Sequence, residues 1–274
     1  MDQQDLKPEN MTATKKTAKT AKTAKKTSKK AVAVAKRGAV AKPAPRKLTP
    51  GTSKTTPARR PLAPERIAAI LKALDEAYPD AVCALRHTTP WELLVATILS
   101  AQCADARVNM VTPDLFRRYP TPAEMAKAPL PEIENLIRTT GFFRNKAKSI
   151  QGAAKKISEN FGGKVPQTLD ELITIPGAAR KTANVVLGVS FGKAEGVVVD
   201  THVFRIARRL ELARGETPQE VERELMRVLP QDHWISFSHQ IIHHGRQVCV
   251  ARNPKCHVCP LETFCRSKDK TWQS

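Results

Sequence analysis

The sequence predicts an all-α fold assembled from many short helices on short loops. Three observations carry this. From about residue 62 onward, apolar residues recur at helical spacing in nearly every segment. Strand signals are scarce: the three valines at 197–199 suit an extended stretch but are too few to make a sheet. The chain then ends in a loop marked by four cysteines rather than in another periodic segment.

Taken in order, PERIAAILKALDEAYP places Pro64 near a helix start, where a missing N–H costs nothing. WELLVATILSAQ, from Trp91, is almost continuously apolar and belongs in the core. DARVNMVTPDLFRRY, PEIENLIRTT and FRNKAKSIQGAAKKISENF follow as helices, then DELITI, RKTANVVLGVSF and THVFRIARRL. QEVERELMRVL is introduced by Thr217, Pro218 and Glu220, which supply a cap, a first-turn proline and a capping-box acid. HWISFSHQIIHHGRQVC is the last helical segment.

Charge divides the chain. Residues 1–60 hold 17 Lys or Arg against Asp2, Asp5 and Glu9, a net +14 of the total +20. That Lys/Ala/Thr/Pro-rich segment has too few large apolar side chains to offset its chain entropy, so disorder is expected. Its lysines suit a polyanion, since each phosphate neutralised releases a counterion. It lacks the amphipathic, Arg-rich character of a transit peptide, and no segment reaches the ~20 apolar residues of a membrane span. The expected division is a basic tail at 1–60, a globular domain at 61–266 and a short tail at 267–274.

Cys249, Cys256, Cys259 and Cys265 are spaced C-x6-C-x2-C-x5-C. Four thiolates so close in sequence suit tetrahedral zinc or a [4Fe–4S] centre. A zinc ribbon ordinarily has two C-x2-C knuckles, and here Cys256 and Cys259 form one, so the spacing favours a cluster. Two disulfides are the alternative, disfavoured without a secretory signal. Cys83 reads as a small apolar residue. Two other motifs are decoys. GVSFGK, residues 188–193, lacks one residue and the magnesium-binding hydroxyl of a phosphate loop. His239 and His243 are spaced like a zinc-protease pair, but Gln240 stands where the general base is required.

ITIPGAARKTANVV, residues 173–186, reads as helix, a tight turn at Pro176 and Gly177, and a second helix from near Ala179. Amides at such a helix start attract anions, and in a basic chain without a nucleotide loop the anion expected is a nucleic-acid phosphate. Lys181 falls in the first turn, where the helix dipole disfavours an ammonium; a neutral amine is what Schiff-base chemistry needs. By spacing alone a phosphate-contacting lysine is the blander reading. Asp200, ahead of THVFRIARRL, suits an N-cap.

IPGAARKTANVV, VVVDTHVFR, LLVATILSAQCAD and the cysteine loop together resemble endonuclease III, the helix-hairpin-helix DNA glycosylase family, over about residues 62–266. The resemblance implies two helical lobes with double-stranded DNA between them and a [4Fe–4S] cluster near the C-terminus. It matches Lys181 to the family's catalytic lysine and Asp200 to its catalytic aspartate. The implied activity is removal of oxidised pyrimidines and cleavage of the abasic strand by β-elimination through a lysine Schiff base. Gln102 and Asp105 then line the flipped-base region, and Phe142 stands where an apolar side chain wedges into the duplex, the alternative being a core phenylalanine. Gly177, Ala179, Arg180 and His202 fall at the phosphate-binding hairpin and beside Asp200. Arg252 and Lys255 keep the cysteine loop positive. The expected partner is DNA with damaged pyrimidines or abasic sites. A monomer is expected, in the cytoplasm and associated with the nucleoid.

The hairpin departs from the family's glycine–apolar–glycine pattern at Ala179, which places a methyl group near phosphate and resists positive φ. Asn253 stands where family members often carry a lysine. Three alternatives remain: a non-catalytic DNA-binding protein of this fold, an adenine-mismatch glycosylase and a zinc-stabilised DNA module. Lys181 and Asp200 together speak against the first. Lys181, and the chain's end nine residues after Cys265, speak against the second.

Overall fold

The structure is a computed structural model and describes residues 62–272. The expectations placed on the basic segment 1–60 lie outside the described residues. Among those residues there are eleven α-helices and no strand. They are α1 (Pro64–Ala77), α2 (Pro90–Ser100), α3 (Asp105–Arg118), α4 (Pro122–Lys127), α5 (Leu130–Leu136) and α6 (Phe143–Asn160). Then follow α7 (Leu169–Leu172), α8 (Arg180–Phe191), α9 (Thr201–Arg209), α10 (Pro218–Val228) and α11 (Trp234–Gln247). No helix among them is long and apolar enough to cross a membrane.

One local device recurs. Thr89, Thr121, Thr168 and Thr217 each cap a helix by accepting the amide of a glutamate three residues on. At Thr121 and Thr217 the glutamate side chain returns the bond to the cap's backbone, completing a capping box. The signature at Thr121 opens α4, a helix too short for apolar spacing to announce. The segment PEIENLIRTT divides instead of forming one helix: α5 stops at Leu136, and Arg138–Thr140 is a 3-10 turn leading to Gly141 at φ +70°.

Two hydrophobic cores result. The first is built by α2 through α8, with Leu93, Leu94, Leu99, Val108, Leu115, Ile150, Ile157 and Leu187 buried together. The second gathers α1, α9, α10 and α11 around Leu74, Val203, Ile206, Leu225 and Phe237, and includes Cys249 and Leu261. The three valines at 197–199 are extended and unpaired. Val197 and Val199 are buried in the second core, and Val198 N donates to Ser238 Oγ at 3.2 Å. The chain therefore leaves the first core at the end of α8 and enters the second just before α9. Lys181 and Asp200 stand on opposite sides of that seam.

Candidate active site and cysteine loop

The hairpin is anchored by Ile175 and Ala178, both buried in the first core. Gly177 between them has φ +82°, and a Cβ there would lie 2.9 Å from Ser149 Cβ and 3.3 Å from Ile98 Cδ1. Glycine is thus required by conformation and by the close approach of α6 and α2. Ala179 is different. It is exposed, caps α8 with φ −69° and ψ 168°, and needs no glycine-like backbone. The expected conflict between alanine and positive φ does not arise. Because Ala179 makes no side-chain cap, the first amides of α8 face outward without a protein side-chain acceptor at the cap.

Asp200 is the N-cap of α9: Oδ1 accepts from the amides of His202 and Val203, both at 2.8 Å. Lys181 and Asp200 line two adjoining cavities in common. One also exposes Asn184, Val199, Phe204 and Glu222; the other exposes Ser100, Asp105, His239, His243 and Arg246. Burial, and then His243, hold His239 below the usual imidazole range.

Glu222 steadies the helix that carries Lys181. It is 8% exposed, and its Oε1 accepts from Arg180 Nε and Asn184 Nδ2, each at 2.9 Å. A Cβ on Gly196 would lie 2.4 Å from both Asn184 Nδ2 and Glu222 Oε1, so the loop toward Asp200 passes over this pair. The expected DNA contact of Arg180 shares its guanidinium with this internal ion pair. His202 packs on α11, where a Cβ on Gly245 would lie 2.7 Å from its Nδ1. Arg246 Nη2 meets Asp105 Oδ2 at 2.6 Å.

Gln102 and Phe142 are both exposed and both left-handed, at φ +53° and +46°. Phe142 is 67% exposed, which removes the core-phenylalanine alternative. Non-glycine residues held at positive φ cost about 1–3 kcal/mol each and are retained where the surroundings fix them.

None of the six cysteines forms a disulfide. Cys249, Cys256, Cys259 and Cys265 line one cavity with Arg209 and Lys270. Donors surround the sulfurs: Arg209 Nη1 lies 3.1 Å from Cys249 Sγ, and Thr271 N lies 3.4 Å from Cys256 Sγ. His244 Nε2 lies 3.5 Å from Cys259 Sγ, and its Nδ1 lies 2.8 Å from Tyr78 Oη. A thiolate at 259 fits the tautomer in which Nε2 donates to sulfur and Nδ1 accepts from the tyrosine. Arg205 Nη2 holds the loop through Cys249 O at 2.7 Å, and Arg209 also pairs with Asp269. Arg252 and Lys255 are exposed on the loop.

Comparison with known proteins decides the family. Residues 95–231 match the family described as HhH-GPD superfamily base excision DNA repair protein. Endonuclease III of Synechocystis sp. is 56% identical over 203 residues, 74% of this chain and 93% of the relative. That of Bacillus subtilis is 45% identical over 73% of this chain and 91% of the relative. This chain belongs to the endonuclease III family. Among solved structures, a trapped endonuclease III–DNA covalent intermediate superposes with a TM-score of 0.71 at 44% identity, covering 75% of this chain and 96% of that one. Residues 249–265 match the iron–sulfur binding domain of endonuclease III, beginning and ending on cysteines.

As a member of this family the chain carries a [4Fe–4S] cluster, and the residues present fit one. The four sulfurs border one shared cavity, and Arg209 and Lys270 line it with them. Burial pushes the Cys259 thiol up to about 11, so a bound metal centre has to draw its proton away. The sequence reading missed His244, Arg205 and Arg209 around these sulfurs, and Glu222 behind Lys181. Each acts on a residue or loop far off in sequence, so no local pattern marks them.

Proposed function

We propose that Lys181 and Asp200 are the catalytic pair of a bifunctional DNA glycosylase and AP lyase acting on oxidised pyrimidines. The observation that carries this is their shared lining of two cavities at the seam, although they hang on different cores. A nucleotide turned out of the duplex into that seam meets both side chains. Lys181 Nζ attacks the sugar C1′ as the C1′–N bond breaks, and the base leaves with the bonding electrons and takes up a proton. Loss of a proton from nitrogen and opening of the sugar ring leave a Schiff base. Removal of a C2′ proton then expels the 3′ phosphate. Asp200, fixed by two amide bonds, assists deprotonation of the lysine and stabilises positive charge on the sugar.

Gly177, Ala179, Arg180 and His202 form the phosphate-facing hairpin and its neighbour, and Arg252 and Lys255 extend it along the cysteine loop. Phe142 wedges into the stack vacated by the turned-out nucleotide, and Gln102 and Asp105 line the region that receives it. The four cysteines ligate the cluster with no position open to substrate, a structural role. The chain works as a monomer on double-stranded DNA, in the cytoplasm at the nucleoid. Borohydride trapping tests the assignment. Wild type is expected to be captured on duplexes with oxidised pyrimidines, and Lys181→Gln to bind them without capture. Undiminished trapping of Lys181→Gln would remove the lysine from the mechanism.

A further inference from the structure

Lys146 lies in the first turn of α6 and is 6% exposed, a position where a long apolar side chain would pack without charge. Its ammonium does not turn toward solvent. Nζ donates to Leu99 O at 2.9 Å and to Thr140 O at 2.8 Å. Leu99 is in the last turn of α2, whose terminal carbonyls lack partners within the helix and carry the negative end of its dipole. Thr140 closes the 3-10 turn and is itself buried, with Oγ1 donating to Ile137 O at 2.8 Å. Burial lowers the pKa of Lys146 from its usual value, so the ammonium is kept there against a desolvation cost.

The two acceptors stand just ahead of the two exposed left-handed residues. Leu99 is three residues before Gln102, and Thr140 is two before Phe142. These segments come from separate parts of the chain, and the one ammonium bonds both. We propose that Lys146 is a positioning residue that holds the Gln102 and Phe142 loops in register, so that Phe142 enters the duplex while Gln102 lines the space for the turned-out nucleotide. This rests on the reading of Phe142 as the wedge in the vacated stack and of Gln102 as a residue that lines the flipped-base region. A capping role for Lys146 at α2 alone would stabilise the fold without bearing on that entry.

The test uses the full holoprotein and a duplex with 2-aminopurine beside an oxidised pyrimidine, whose fluorescence reports unstacking. A single-stranded oligonucleotide with an abasic site serves as the second substrate, needing no extrusion. Lys146→Met is expected to lose the fluorescence rise and to slow duplex base removal by up to about 10²-fold, as displaced positioning groups do. Trapping on the single strand should keep the wild-type rate. Lys146→Met combined with Phe142→Ala should be no slower than the slower single variant, because both remove one function. Normal extrusion by Lys146→Met, with Phe142→Ala impaired, overturns the proposal alone. An equal loss on both substrates also overturns it, leaving a structural lysine. If Phe142→Ala and Gln102→Ala both extrude normally, the reading of these two residues falls and takes this one with it. Should Lys146→Met not fold, Lys146→Gln, which keeps a donor for one carbonyl, is measured on the same two substrates and judged by the same outcomes.

Discussion

Arg246 of α11 and Asp105 of α3 form an ion pair across the seam between the two cores, Nη2 to Oδ2 at 2.6 Å. Both line the cavity that Lys181 and Asp200 share. With side chains 42% and 22% exposed, the pair is screened by solvent, and its stability contribution is expected near the ~1 kcal/mol of exposed pairs. Asp105→Asn should therefore lower the urea midpoint slightly, and added salt should shrink the difference from wild type. A salt-independent loss several times larger would mean that Asp105 is an integral core contact.

Asp200 does two things that one substitution separates. Asparagine caps helices about as well as aspartate, so Asp200→Asn should keep urea stability within a few tenths of a kcal/mol. Asp200→Ala, which removes the acceptor for His202 N and Val203 N, should cost about 1 kcal/mol. Single-turnover base removal should fall severely in both. A near-normal rate for Asp200→Asn would leave the residue as a cap and nothing more.

The contrast between Asp200 and Glu222 shows what the sequence makes legible. Asp200 sits at the first turn of a periodic helix, and its capping role follows from position alone. The Thr-x-x-Glu signature at Thr121 was equally visible, but the six residues of α4 show too little periodicity to draw attention to it. Glu222 bonds Arg180, 42 residues away, and Lys146 bonds Leu99, 47 residues away. Such pairs depend on how two helices cross, and neither charge pattern nor spacing encodes that crossing. The left-handed backbone at Phe142 is hidden for a related reason: phenylalanine does not advertise positive φ.

Loss of the cluster should disturb the whole cysteine loop. Cys259→Ala removes a ligand and the sulfur partner of His244 Nε2, and should yield protein depleted in iron. Arg252 and Lys255 lie within the same loop, so their geometry should relax with it. If each neutralises one phosphate, the slope of log binding constant against log salt should fall in magnitude by about 2, at about 0.9 per contact. Stoichiometric zinc without iron in anaerobically purified wild type, or an unchanged slope in iron-free protein, would contradict this account.

The two small residues of the hairpin should behave oppositely. Gly177→Ala places a side chain at φ +82° and 2.9 Å from Ser149 Cβ, so the turn must move or α6 must yield. A left-handed alanine alone costs roughly 1–2 kcal/mol, and the displaced turn should also weaken binding to an abasic-analogue duplex. Ala179→Gly meets neither constraint, because φ −69° is open to any residue. Glycine is the better N-cap of the two but has more freedom to lose on folding, and these effects oppose each other within a few tenths of a kcal/mol. Only the methyl group's approach to phosphate remains as a handicap, and at an exposed position the chain has room to avoid it. The expected result is an unchanged Kd for Ala179→Gly at fixed salt and a weakened one for Gly177→Ala. Tighter binding by Ala179→Gly in matched titrations would show that the methyl group, rather than backbone conformation, holds this hairpin off the DNA.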